Sequence, residues 1–77
     1  MLEKGSIFSI NPDDPKHYVV LDRIDDMARG EGGWLCVELN TYYNKEKLDS
    51  FDFWRISDRY FEIQKQRGVI QVVDHMK

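Results

Sequence analysis

The sequence predicts an all-β fold, a small barrel of five or six strands, and three observations carry that expectation. Short apolar runs rich in Val and Ile alternate with period two, the mark of a half-buried strand. Clusters of Asn, Asp, Pro and Gly separate these runs, and such residues dominate turns because they pre-set or tolerate unusual backbone angles. Ten of the 77 residues are aromatic. At this length the chain is one domain, residues 1–77. A domain of this size buries only about 60% of its unfolded surface. Aromatic rings, each burying about 150–250 Å², are therefore an economical core, and a closed sheet leaves no unpaired edge to aggregate.

The elements follow in order. "SIFSI" (6–10) alternates, with Phe8 and Ile10 on one face and Ile7 and Ser9 on the other. After the turn "NPDDP" (11–15), "HYVVLDRI" (17–24) sets Val19 and Leu21 against Tyr18, Val20 and Asp22. "RGEGG" (29–33) reads as a mobile hairpin loop. "WLCVELNTYY" (34–43) is the clearest strand, with Leu35, Val37 and Leu39 on one side and Trp34, Cys36 and Glu38 on the other. "YNKEKLDS" (43–50) is a turn, and "GVIQVVDH" (68–75) is the last strand, entered through "RG" at 67–68.

"WRISDRYFEI" (54–63) supports two readings. Phe53, Ile56, Tyr60 and Ile63 step by three, four and three, which is one face of a helix. Ser50 caps the start of such a helix and Gly68 ends it, giving a ββ(β)αβ arrangement with a helix at about 50–67. In the other reading "FDFWRI" is a strand, "SDRY" (57–60) a tight turn, and "YFEIQ" a second strand with Phe61 and Ile63 inward. Local periodicity leaves both open.

Three segments resemble the SH3-like small barrels. SH3 domains enter one strand through Lys-Gly-Asp-aliphatic, open a central strand with Trp-Trp, and feed the last strand through a single 3₁₀ turn in aliphatic-Pro-small-Asn-Tyr-Val-Glu. This chain has "KGSIF" (4–8), "GWLCVEL" (33–39) and "ISDRYFEI" (56–63), in that order, over about residues 4–65. Ser57 stands where the turn carries Pro, Leu35 where the second Trp would be, and the Ala-Leu-Tyr-Asp-Tyr segment that precedes Lys-Gly has no counterpart. The pattern is also similar to short bacterial and phage barrels that keep the SH3-like core without its polyproline groove. The resemblance implies a barrel with a 3₁₀ turn near 57–60, and it places Trp34 and Tyr60 at ligand-facing positions.

The net charge is −3, with four basic and seven acidic side chains in residues 1–33 and seven of each thereafter. No basic stripe marks a nucleic-acid surface. No run approaches the roughly 18 apolar residues of a membrane span, and "MLEKGSIFSI" does not read as a signal peptide, so a cytoplasmic location without membrane association is expected. Cys36, the only cysteine, lies in an apolar run and reads as a small buried hydrophobe.

Catalytic signatures are missing. There is no Gly-x-Ser-x-Gly elbow, His-Glu-x-x-His, Walker loop or Gly-x-Gly-x-x-Gly. Asp13, Asp14 and His17 are close enough in sequence to hold a cation, as are Asp22, Asp25 and Asp26, but neither group has a ligand-loop spacing; no metal or cofactor is expected.

Seven aromatics fall within 42–61. A barrel of this size takes Phe8, Phe53 and Phe61 into its core with Leu21, Leu35, Val37 and Ile63. Trp34, Tyr42, Tyr43, Trp54 and Tyr60 then form a surface patch, unless residues 69–74 or a second copy of the chain in a homodimer cover it. Trp and Tyr give large contact area at small entropy cost, which favours them at binding hot spots.

The functional expectation is therefore a small non-enzymatic protein-interaction domain. It would be an adaptor or inhibitor in the style of phage and mobile-element accessory proteins, binding a protein through Trp34, Tyr43, Trp54 and Tyr60 with Arg59 at the rim. The second reading is a nucleic-acid-binding barrel using Arg55, Arg59, Lys65 and Arg67, against which Asp52, Asp58 and Glu62 stand close enough to neutralise the arginines. The third is a small enzyme or metal protein using His17 with Asp13 or Asp14.

Overall fold

A computed structural model describes residues 2–25 and 32–76. The fold is mostly β, with five strands and two short helices: β1 (Ser6–Ser9), β2 (Tyr18–Ile24), β3 (Gly33–Glu38), α1 (Leu39–Asn44), β4 (Phe53–Ser57), α2 (Asp58–Gln66) and β5 (Gln71–His75). The strands form one antiparallel sheet in the order β4-β3-β2-β1-β5. The sheet is open rather than closed, and β4 and β5 are its two edges. The loop expected at 29–33 lies mostly outside the described residues.

Alternation sorts the strands onto two faces. Phe8, Tyr18, Val20, Cys36 and Ile56 build the larger core, closed from above by Phe61 of α2 and by Leu2 and Ile70. Ile7, Val19 and Val37 build a smaller cluster on the opposite face, with Leu21, Leu39, Leu48 and Met76 packed against it. Phe8, Phe61 and Val37 are buried as the sequence indicates. Phe53, Leu21 and Leu35 are only half-buried, and Ile63 is 45% exposed. Ile63 was expected inside because it alternates with Phe61 in a strand; in a helix the two are offset around the axis, and only Phe61 reaches the sheet.

Both readings of 54–63 need correction. The stretch is neither strand–turn–strand with a 3₁₀ turn at 57–60 nor one helix over 50–67. It is the end of β4 followed by α2. Ser57 closes the strand and caps the helix, its hydroxyl accepting from the Tyr60 N–H at 3.0 Å. Asp58 lies in the first turn and Lys65 in the last, each at the favourable end of the helix dipole. Gly68, at φ 76°, then ends the helix. The Gly68 N–H donates to the Lys65 carbonyl at 3.0 Å and the Val69 N–H to that of Gln64 at 2.9 Å, the Schellman pattern that favours glycine.

The strand expected over 34–43 stops at Glu38 and continues as α1. The Leu39 N–H still donates to the His17 carbonyl at 2.8 Å. The turn into helix lets Leu39 pack against the smaller cluster while Tyr42 and Tyr43 swing outward; tertiary packing overrides the β-preference of Thr and Tyr there.

Candidate functional site

Two exposed aromatics of β4 and α2, Trp54 and Tyr60, sit beside the core. Trp54 alternates onto the α2-covered face opposite Cys36, and its indole meets the Tyr18 ring at 5.1 Å and 41°. Tyr18 in turn stacks on Phe8 at 5.8 Å. Three rings thus run from the buried centre to the surface, where Trp54 remains 52% exposed. The first turn of α2 brings Tyr60, 45% exposed, to the same place. Trp54 and Tyr60 line a groove of about 330 Å³ with Ile10, Arg55, Ile56 and Ser57. Ile10 follows β1, three strands away from β4, so the curl of the open sheet supplies the opposite wall.

The rest of the expected patch is dispersed. Trp34 is half-buried and lines a second cleft, of about 360 Å³, with Leu2, Arg23, Asp58, Phe61 and Glu62. Tyr43 is 65% exposed on α1, where its ring meets Tyr42 edge-on at 5.7 Å. Tyr42 lines a depression with Val19, Leu21 and Met76, against the smaller cluster. Arg59 is exposed at the start of α2, beside Tyr60. Residues 69–74 do not cover the Trp54–Tyr60 groove, because β5 pairs with β1 at the far edge of the sheet.

The second cleft holds an ion pair that sequence reasoning missed, Arg23 with Asp58. Arg23 donates to both oxygens of Asp58, at 2.6 Å each, and its guanidinium lies 4.7 Å from the centre of the Trp34 ring. Strict alternation places Arg23 on the Val19 face. A bulge at Leu21 shifts the register, so that Val20 pairs with Cys36 but Asp22 with Leu35 and Arg23 with Trp34. No sequence signal marks that bulge. The hydrogen bonds from Arg23 hold the Asp58 carboxyl below the usual carboxylate range. Arg23 thereby covers one face of Trp34, and the pair fastens β2 to the start of α2.

Two of the three acidic groups expected to neutralise the arginines of β4 and α2 are engaged elsewhere. Asp58 belongs to Arg23. Asp52 accepts from the Asp49 N–H at 2.8 Å and from Lys45 at 2.6 Å, which hold its carboxyl below the usual range. Glu62 faces the Trp34 cleft. Arg55 and Arg59 make no ion pair among the described residues. Lys65 and Arg67 lie apart from them. Lys65 places its ammonium 6.0 Å from the Phe61 ring, and six residues of helix turn it roughly 120° away from Arg59.

Cys36 is 1% exposed, and burial pushes its thiol up to about 12. Asp13, Asp14 and His17 line one shallow depression, but among the described residues no three His, Cys, Asp or Glu side chains converge on a cation position. No helix among the described residues is long and apolar enough to cross a membrane. No family model matches the chain, and no curated protein or solved structure matches it significantly.

Proposed function

We propose that this chain is a non-enzymatic protein-binding domain, and that it captures a segment of a partner protein in the groove between β4 and α2. Trp54 and Tyr60 are the anchors, with Arg55 and Arg59 at the rim. The observation that carries this reading is the fixed exposure of Trp54: half of a large aromatic side chain is held at the surface by a ring stack rooted in the core. A pre-positioned aromatic has little freedom left to lose on binding, the property that makes Trp and Tyr hot spots. Trp34 and Tyr43 are left out of this binding surface, Trp34 because Arg23 already covers it and Tyr43 because it stands on α1. The helix α2 feeds the last strand where an SH3-like barrel has its 3₁₀ turn, so the fold is read as an SH3-like sheet left open and carrying a different groove. An adaptor or inhibitor working in the cytoplasm fits such a surface.

The test is partner capture from a lysate, with and without nuclease, using the parent and a Trp54→Ala, Tyr60→Ala variant checked for folding. A protein retained after nuclease and weakened by the double substitution supports the reading. Loss of two hot-spot side chains is expected to lower affinity by about 30-fold or more. Prey that disappears with nuclease would replace it with nucleic-acid binding through Arg55 and Arg59. A prey indifferent to both would remove the groove from the function.

A further inference from the structure

Three features of β4 converge on the chemistry of what the groove takes. The strand is an edge of the sheet, so its outer row of backbone N–H and C=O groups has no strand partner among the described residues, and such an edge is a template for an added strand. Its side chains alternate: Trp54 and Ile56 share the α2-covered face, while Phe53 and Arg55 alternate to the other, Arg55 still lining the edge of the groove. Arg55 and Arg59 make no ion pair with a described carboxylate: Asp58 and Asp52 are held by Arg23 and Lys45, and Glu62, exposed on α2, lies more than an ion-pair distance from either arginine.

We infer that the occupant is an extended acidic segment of a partner protein, laid along β4 as a sixth strand, with alternate apolar side chains on Trp54 and Tyr60 and alternate carboxylates on Arg55. This inference rests on the reading of the groove given above. An added strand shares the period-two alternation of its neighbour, so the residues opposite Trp54 and Ile56 meet apolar rings and those opposite Arg55 meet a guanidinium. Arg59, one residue before Tyr60, adds a second positive group at the rim. A second copy of this chain is a poor occupant. Antiparallel pairing of two β4 strands about their midpoint sets Arg55 against Arg55, and like charges directly opposite are destabilising. Single-stranded nucleic acid is also disfavoured: it makes no use of the strand edge, and only Arg55 and Arg59 serve its phosphates in a chain of net charge −3.

The experiment selects a randomised peptide library displayed on phage against the intact chain, then titrates the enriched peptide into isotope-labelled protein. The expected peptides alternate apolar residues with Asp or Glu and perturb the backbone amides of residues 53–57. Arg55→Gln and Arg59→Gln, surface substitutions that leave the core untouched, are each expected to weaken binding about two- to fivefold, as for exposed ion pairs, with a comparable loss at high salt. Enriched peptides without acidic residues that still need Trp54 would overturn the acidic partner and leave the groove standing. Enrichment indifferent to Trp54→Ala, or none at all, would overturn both. An oligonucleotide that displaces the peptide with a steep salt dependence would overturn the acidic strand in favour of nucleic acid.

Discussion

Phe61 is the only residue of α2 that is buried, at 3% exposure, so the attachment of this helix to the sheet can be tested with one substitution. A helix of nine residues is too short to persist in water on its own. It is held by the Phe61 ring, by the Ser57 cap and by the Arg23–Asp58 pair. Removing a fully buried phenyl ring costs about 3–5 kcal/mol in lost transfer energy and residual cavity. A 77-residue domain has a total stability of about 4–12 kcal/mol. Phe61→Ala is therefore expected to remove between about a quarter and all of the folding free energy, while Phe61→Leu, which keeps most of the volume, costs about 1–1.5 kcal/mol. The assay is urea unfolding followed by tryptophan fluorescence, since Trp34 and Trp54 lie on either side of the helix start, in the two clefts it lines. A Phe61→Ala protein within about 1 kcal/mol of the parent, with an unchanged slope against urea, would refute the docking of α2 through this ring.

Ser57→Ala removes the oxygen that caps α2 and should cost about 1 kcal/mol, read as a fall in Tm of roughly 4–8 °C, while Ser57→Asp should be close to neutral because Asp supplies the same acceptor. Asp58 has a folded pKa below its ordinary 3.8, so its pairing with Arg23 contributes fully above about pH 4 and is lost as pH falls through the lower folded value. Acid unfolding should accordingly be shallower below pH 4 in Asp58→Asn than in the parent, and equal slopes would show that the pair is uncoupled from folding. Cys36, buried and with its thiol raised to about 12, should not react with a thiol reagent at pH 8 until denaturant is added; rapid labelling of the native protein would place the thiol at the surface.

The strands were legible where one face is buried and alternation is undisturbed. Ile7 against Phe8, Val19 against Val20 and Cys36 against Val37 all fall on the sides that period two assigns. The helix-ending role of Gly68 was legible too, because a positive φ favours glycine. Reading failed where tertiary contacts decide. A bulge inserts one residue at Leu21 and turns Arg23 toward Trp34, and nothing local in "LDRI" announces it. Ser57 reads in the sequence as a turn residue and Ser50 as the helix cap, yet it is Ser57 that caps α2, because the helix starts where Phe61 can reach over the sheet. Of the expected binding residues, Trp54, Tyr60 and Arg59 fall together because β4 runs directly into α2. Trp34 separates from them because Arg23 and Asp58 close over it, a pairing of residues 35 apart in sequence that composition cannot reveal.

The most direct measurement is a heteronuclear NMR titration of the labelled chain with a captured partner, or the shortest segment of it that binds. The expected result is a contiguous footprint on the amides of residues 53–60, the Trp54 indole N–H and Ile10, with the Trp34 indole unmoved. A footprint centred on Trp34 and Arg23, or on Tyr42 and Tyr43 of α1, would contradict the assignment of the β4–α2 groove as the binding site.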